Sequence, residues 1–217
     1  STWSRPDGID AGNVGSATHT ALGVYRTPIT NDNIQVAVTL WVDYQSTAQS
    51  TYGDISTWNT SNVTDMSMLF HNKTSFNEDI RDWNTSNVTT MEKMFDNASA
   101  FNQDISGWNT SNVTNMGRTF KDALAFNQPL NDWDTSKVTT MKRMFNYAIA
   151  FNQPLNDWDT SKVTNMERTF KNASAFNQDI GDWVVSGVTT IAGFDRMFED
   201  ADAFNQDLST WSRPDGI

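Results

Sequence analysis

Two columns of aspartates are the residues in this chain best placed to do chemistry. Asp79, Asp104, Asp179 and Asp207 share one position of a repeated pattern, and Asp82, Asp132, Asp157 and Asp182 share another three residues later. Carboxylates held about 5 Å apart repel by about 1 kcal/mol even in water, so bound cations, basic neighbours or solvation must offset them. Oxygen-only ligands suit Ca2+, although no D-x-D-x-D-G loop is present to hold it. Paired carboxylates also serve glycosidases. Here they recur from repeat to repeat, whereas catalysis needs one differentiated site, and this argues against an enzyme. Cysteine is absent, and the two histidines, His19 and His71, have no partner at a useful sequence spacing. No G-x-S-x-G, Walker, Rossmann or H-E-x-x-H pattern occurs.

The elements that position these columns are copies of one unit. Trp58, Trp83, Trp108, Trp133, Trp158 and Trp183 stand 25 residues apart, each opening a variant of W-(N/D)-T-S-(N/K)-V-T-x-M-x-x-(M/T)-F-x-x-A-x-A-F-N-Q-(D/P)-(I/L). A period of this size means units that bury their apolar sides only by stacking, which predicts a six-coil solenoid over residues 55–208. Val88, Met91, Phe95 and Ala98 have helical spacing and should face inward. Phe101 and Ile105 mark a short extended segment. A strand plus a helix or 3-10 turn per coil is the leucine-rich-repeat plan, so the expected fold is an α/β repeat solenoid with parallel strands about 4.8 Å apart. Pro129 and Pro154 then belong at the strand edge, where no N–H is needed. The last copy carries three extra residues between Ile191 and Phe198, expected as a bulge on the convex side.

Residues 29–54 differ from the repeats and read as an N-terminal cap. Thr30, Asn31 and Asp32 form an N-cap signature, and Ile34, Ala37, Val38 and Trp41 fall on one helical face. The competing strand reading places Ile34, Val36, Val38, Leu40 and Val42 in alternation. Residues 1–28, rich in glycine and small polar side chains, read as a linker. Residues 209–217 repeat residues 1–9 without change, as STWSRPDGI, which suggests a 208-residue module following itself head to tail; a duplicated terminal tag is the plainer alternative. Trp3, Trp41 and Trp211 are then the candidate junction residues.

Within the repeats, the asparagines Asn77, Asn102, Asn127, Asn152, Asn177 and Asn205 should satisfy backbone groups between coils. The tryptophans should pave the core with each indole N–H on a loop carbonyl, glycan stacking being the alternative. Asp134 and Asp159 are expected to contact Lys137 and Lys162. Nine N-x-(S/T) sequons, including Asn59, Asn84 and Asn109, read as by-products of the turn sequence.

The repeat, with its TPITNDNIQVAVTLWVDYQSTAQSTYGDISTW lead-in, resembles the BspA-like leucine-rich repeats of bacterial surface proteins and mycoplasma lipoproteins. The resemblance spans about residues 28–211. It implies a cell-surface or extracellular location and, for some members, adhesion to host or matrix proteins; it implies no catalytic residues.

A net charge of −11 argues against nucleic acid or an anionic membrane as partner. No apolar run approaches the ~20 residues of a membrane span. Ser1 opens a polar stretch with no signal-peptide pattern, so an export signal would lie outside these residues. The expected function is a structural and adhesive module of an extracellular fibre or giant surface protein, its partners being further copies of itself. The alternative is a surface receptor gripping a protein or glycan on a concave solenoid face.

Overall fold

A computed structural model describes residues 25–211. Two helices open it, α1 (Ile34–Asp43) and α2 (Gln45–Tyr52). Asn33 organises the entry to α1, its Oδ1 accepting from the Thr30 N–H at 2.9 Å and its Nδ2 donating to the Pro28 carbonyl at 2.8 Å. Ile34, Ala37, Val38 and Trp41 are buried, as the helical spacing demands, and the alternating strand pattern is not used. Gly53, at φ 87°, ends α2 in the left-handed region that glycine enters without steric cost. The Asn31 side chain accepts from the N–H groups of Thr64 and Asp65, and Gln35 donates to the Ser67 carbonyl at 2.7 Å. The cap thus bonds polar groups of the first repeat that no earlier repeat is there to meet.

The repeats correct the fold expected from the sequence. Among the described residues there is no β-strand, and beyond α1 and α2 the only helical segments are 3-10 turns at Ile55–Thr57 and Ile191–Phe194. The chain is therefore not an α/β leucine-rich-repeat solenoid. Its repeats are strings of turns laid on one another in register. Met66, Met68, Phe70 and Asn72 donate their N–H groups to carbonyls of Thr90, Glu92, Met94 and Asp96 in the following repeat. Leu69, His71 and Lys73, between them, bond three residues back within their own repeat. Each of the next four junctions copies the four inter-repeat bonds, all at 2.7–3.2 Å.

This alternation explains the failed helix. An α-helix needs successive N–H groups to bond four residues back, and here every second one leaves for the next repeat. Two residues per repeat also adopt positive φ, such as Lys93 (57°) and Asn97 (62°) in the second. A run of four-residue turns brings apolar side chains inward at offsets of three and four just as a helix does, so Val88, Met91, Phe95 and Ala98 are buried without one.

The expected strand fails for a different reason. The Asn102 N–H bonds the side-chain Oδ1 of Asn77 at 2.9 Å instead of a backbone carbonyl, so no main-chain ladder forms along F-N-Q. Parallel pairing survives only as single bridges linking Asp65, Thr90, Asn115, Thr140 and Asn165 in sequence, within V-T-x-M. Pro129 and Pro154 are exposed on the unladdered segment.

Side chains of successive repeats sit over one another. Phe95 and Phe120 stack at 5.6 Å, Phe101 and Phe126 at 5.8 Å, Trp108 and Trp133 at 6.4 Å, within the range of favourable aromatic pairs. The three-residue insertion is absorbed by the Ile191–Phe194 turn, capped by the Thr190 hydroxyl on the Gly193 N–H. The Gly193 carbonyl still accepts from Met166 at 2.7 Å, so registry resumes at once. A Cβ at Gly193 would lie 2.4 Å from Val188 Cγ1.

Gly193→Ala should therefore cost about 1–3 kcal/mol of stability by overpacking. Phe120→Ala, which opens a hole between two stacked rings, should cost about 3–5 kcal/mol. Denaturant melts followed by tryptophan fluorescence measure both; a loss below about 0.5 kcal/mol for Phe120→Ala would contradict the stacked core.

Candidate functional site

The first acidic column is a column of turns. Oδ1 of Asp79, Asp104, Asp179 and Asp207 accepts the backbone N–H two residues on, at 3.1, 3.0, 2.9 and 2.8 Å. Aspartate favours turns by this bond and proline by its fixed φ. That common property accounts for Pro129 and Pro154 standing where other repeats carry Asp. Asp82, Asp132, Asp157 and Asp182 of the second column are exposed. Asp157 alone is tied across repeats, to the Asn131 side chain. Among the described residues no group of three or more His, Cys, Asp or Glu side chains could hold a metal ion.

A third polar column, Asn59, Asn84, Asn109, Asp134 and Asp159, forms the same turn with the serine two residues on, at 2.9–3.0 Å. Asn and Asp are interchangeable there because the turn uses only the side-chain oxygen. Lys137 does not ion-pair with Asp134 among the described residues; it donates to Asn112 Oδ1 of the preceding repeat at 2.7 Å and lowers the Asp134 pKa only through space.

The neutral columns hold repeat to repeat. Oδ1 of Asn77, Asn102, Asn127, Asn152 and Asn177 accepts the backbone N–H of the equivalent Asn in the next repeat, at 2.9 Å throughout. Trp83, Trp108, Trp133, Trp158 and Trp183 are 2–4% exposed, and each indole N–H bonds a carbonyl 28 residues back, from Trp83 on Ile55 at 2.8 Å to Trp108 on Ile80 at 3.2 Å. These faces are closed to a glycan. Trp41 also faces inward, edge-on to Trp58 at 6.1 Å. Trp211 is only partly buried at the far end, and Trp3 lies outside the described residues.

Several contacts were invisible in the linear pattern. Glu167 receives Lys142 at 2.6 Å and Arg143 at 3.1 Å, and Lys171 reaches Glu199 at 2.8 Å. His71 does find partners, the Asp96 carbonyl at 3.1 Å and its carboxylate at 3.9 Å, with Lys121 3.2 Å from that carboxylate. All of these span 24–28 residues, so comparing residues one period apart would have exposed them. The largest hollow, about 830 Å³, lies between α1 and the first repeat, lined by Gln35, Thr39, Asp65, Met68, His71 and Lys73 among others.

Several carboxyls are held below the ordinary carboxylate range. The Arg81 side chain does this for Asp79, the Ser106 N–H and hydroxyl for Asp104, and Ser136 and Ser161 for Asp134 and Asp159. A depressed folded-state pKa contributes stability that is present above the ordinary value and lost as pH falls through the lowered one. Acidification below about pH 4 should therefore lower the urea midpoint. Asp134→Asn with Asp159→Asn keeps both turns, as Asn does in the first three repeats. The double variant should match the parent within about 0.5 kcal/mol at pH 7 and show a shallower acid loss in parallel urea titrations.

Comparison with known proteins places these columns in a family context. The family model described as "Mycoplasma protein of unknown function, DUF285" matches twice, over residues 42–138 and 128–215. No curated protein and no solved structure gives a significant match to the chain. No helix among the described residues is long and apolar enough to cross a membrane. With most of its length covered by the two matches, the chain belongs to the DUF285 family of mycoplasma proteins.

Proposed function

We propose that the protein is a structural and adhesive module of an extracellular fibre or giant tandem-repeat surface protein, assembled head to tail. The observation that carries this reading is that the repeated columns spend their bonding groups on one another. Indole, amide and aspartate oxygens all serve a turn or a neighbouring repeat, which leaves a rod built to be continued and no differentiated catalytic site. Membership of DUF285, together with the resemblance to BspA-like repeats, supports a place at the cell surface. The identical nonapeptides at residues 1–9 and 209–217 support tandem copies.

A second reading, a surface receptor for a protein or glycan, draws on the hollow beside α1, whose lining mixes Gln, Thr, Asp, His and Lys groups. Negative-stain electron microscopy of a polypeptide carrying consecutive copies separates the two. The fibre reading expects elongated particles with a regular repeat along their length. Isolated compact particles that retain a ligand from host-matrix extract would favour the receptor.

A further inference from the structure

The stack is closed at its head by α1 and α2 and left open at its tail. In the preceding repeats Phe70, Phe95, Phe120, Phe145 and Phe170 are 0% exposed, and the tryptophans no more than 4%. Their counterparts in the last repeat, Phe198 and Trp211, are only partly buried, as are Phe194, Phe204 and Leu208. Phe194, Met197, Phe198, Leu208 and Trp211 line an apolar hollow of about 260 Å³. Backbone polarity is unfinished there too. The N–H groups of Arg196, Phe198 and Asp200 are equivalent to donors that each earlier repeat gives to its successor, and they make no hydrogen bond among the described residues. Arg196 and Asp200 are nonetheless already held at φ 51° and 57°, the conformation in which the inter-repeat bond forms elsewhere.

At the other end, the side of α1 turned away from the repeats carries Asp32, Val36 and Asp43. Val36 is 61% exposed, and Tyr44 just beyond it 67%. No Lys or Arg occurs between Ile34 and Tyr52. The head therefore offers carboxylate acceptors around an apolar centre, while the tail offers N–H donors and the half-exposed Arg196 around an apolar bed. The same nine residues stand both at the tail, where Ser209, Thr210 and Trp211 close the last turn, and ahead of the cap.

We propose that the open tail face is a docking site for a second copy of this chain, which covers it with the outer side of its α1. This rests on the head-to-tail reading above and names the surfaces that make the joint. The contact can be weak: a tether raises the effective concentration to the millimolar range, so a Kd of about 1 mM suffices in a tandem.

Sedimentation velocity of the full chain tests it, with Val36→Glu breaking the head and Leu208→Glu breaking the tail. Thermal melts establish that both fold, and Leu208→Gln replaces the second if it melts early. The wild-type chain should associate in an open-ended, concentration-dependent series. Each variant alone should weaken association by at least about tenfold. An equimolar mixture of the two should form dimers and nothing larger, because one intact head and one intact tail remain. Persistent dimers of Val36→Glu alone would mean tail-to-tail pairing and overturn the proposal. So would a wild-type chain that stays monomeric at about 1 mM, even if consecutive copies still form regular fibres; that outcome would leave the fibre reading standing and remove only this joint.

Discussion

Four backbone hydrogen bonds from each repeat to the next set the terms for the rest of the molecule. They leave from every second residue of the M-x-x-(M/T)-F segment, while the residues between bond within their own repeat. A chain committed to that alternation can be neither helix nor strand, because both need a uniform destination for successive N–H groups. It also requires two left-handed residues per repeat, and none of these is glycine: Lys93 and Asn97, Arg118 and Asp122, Arg143 and Tyr147. A left-handed non-glycine residue costs roughly 1–2 kcal/mol. In the inner repeats each such residue donates its own N–H to the next repeat, and a net hydrogen bond of about 0.5–1.5 kcal/mol offsets much of that cost. Burial of the phenylalanine between them supplies the remainder. Strain and stacking therefore depend on one another, and a repeat alone would have neither bond nor burial.

Once the backbone is committed in this way, polar side chains have turns to close. Aspartate, asparagine and proline exchange along the chain wherever the requirement is only a bend. Asp104 and Pro129 occupy one position, and Asn109 and Asp134 another. The acidity that makes the chain look like a cation binder arises largely from a choice among turn formers. The depressed carboxyl pKa values have the same origin, in serine hydroxyls, N–H groups and one arginine that serve the bends. Asparagine ladders go further, substituting a side-chain oxygen for the main-chain acceptor that a strand would have provided.

The two ends solve the same problem unequally. Asn31 and Gln35 bond to the first repeat and α1 covers its apolar side, whereas the last repeat keeps its aromatic bed partly open and its left-handed residues without a successor. A stacked array has no intrinsic stopping point, so the difference between a closed head and an open tail gives the rod a direction.

The sequence by itself determined the period, the inward columns and the cap helix. Val88, Met91, Phe95, Ala98, Phe101 and Ile105 are all buried as their spacing demands, because hydrophobic burial reads out directly as residue type. It also pointed to the tryptophan N–H groups on carbonyls and the asparagines between repeats. Secondary structure within the repeat was decided only by tertiary contacts. Offsets of three and four fit a helix and a run of turns equally well, and the choice depends on where each N–H finds its acceptor. That acceptor lies about 25 residues away, as do Asp96 for His71 and Glu167 for Lys142. Local pattern carries no information about partners at that distance; stacking alone brings them within reach.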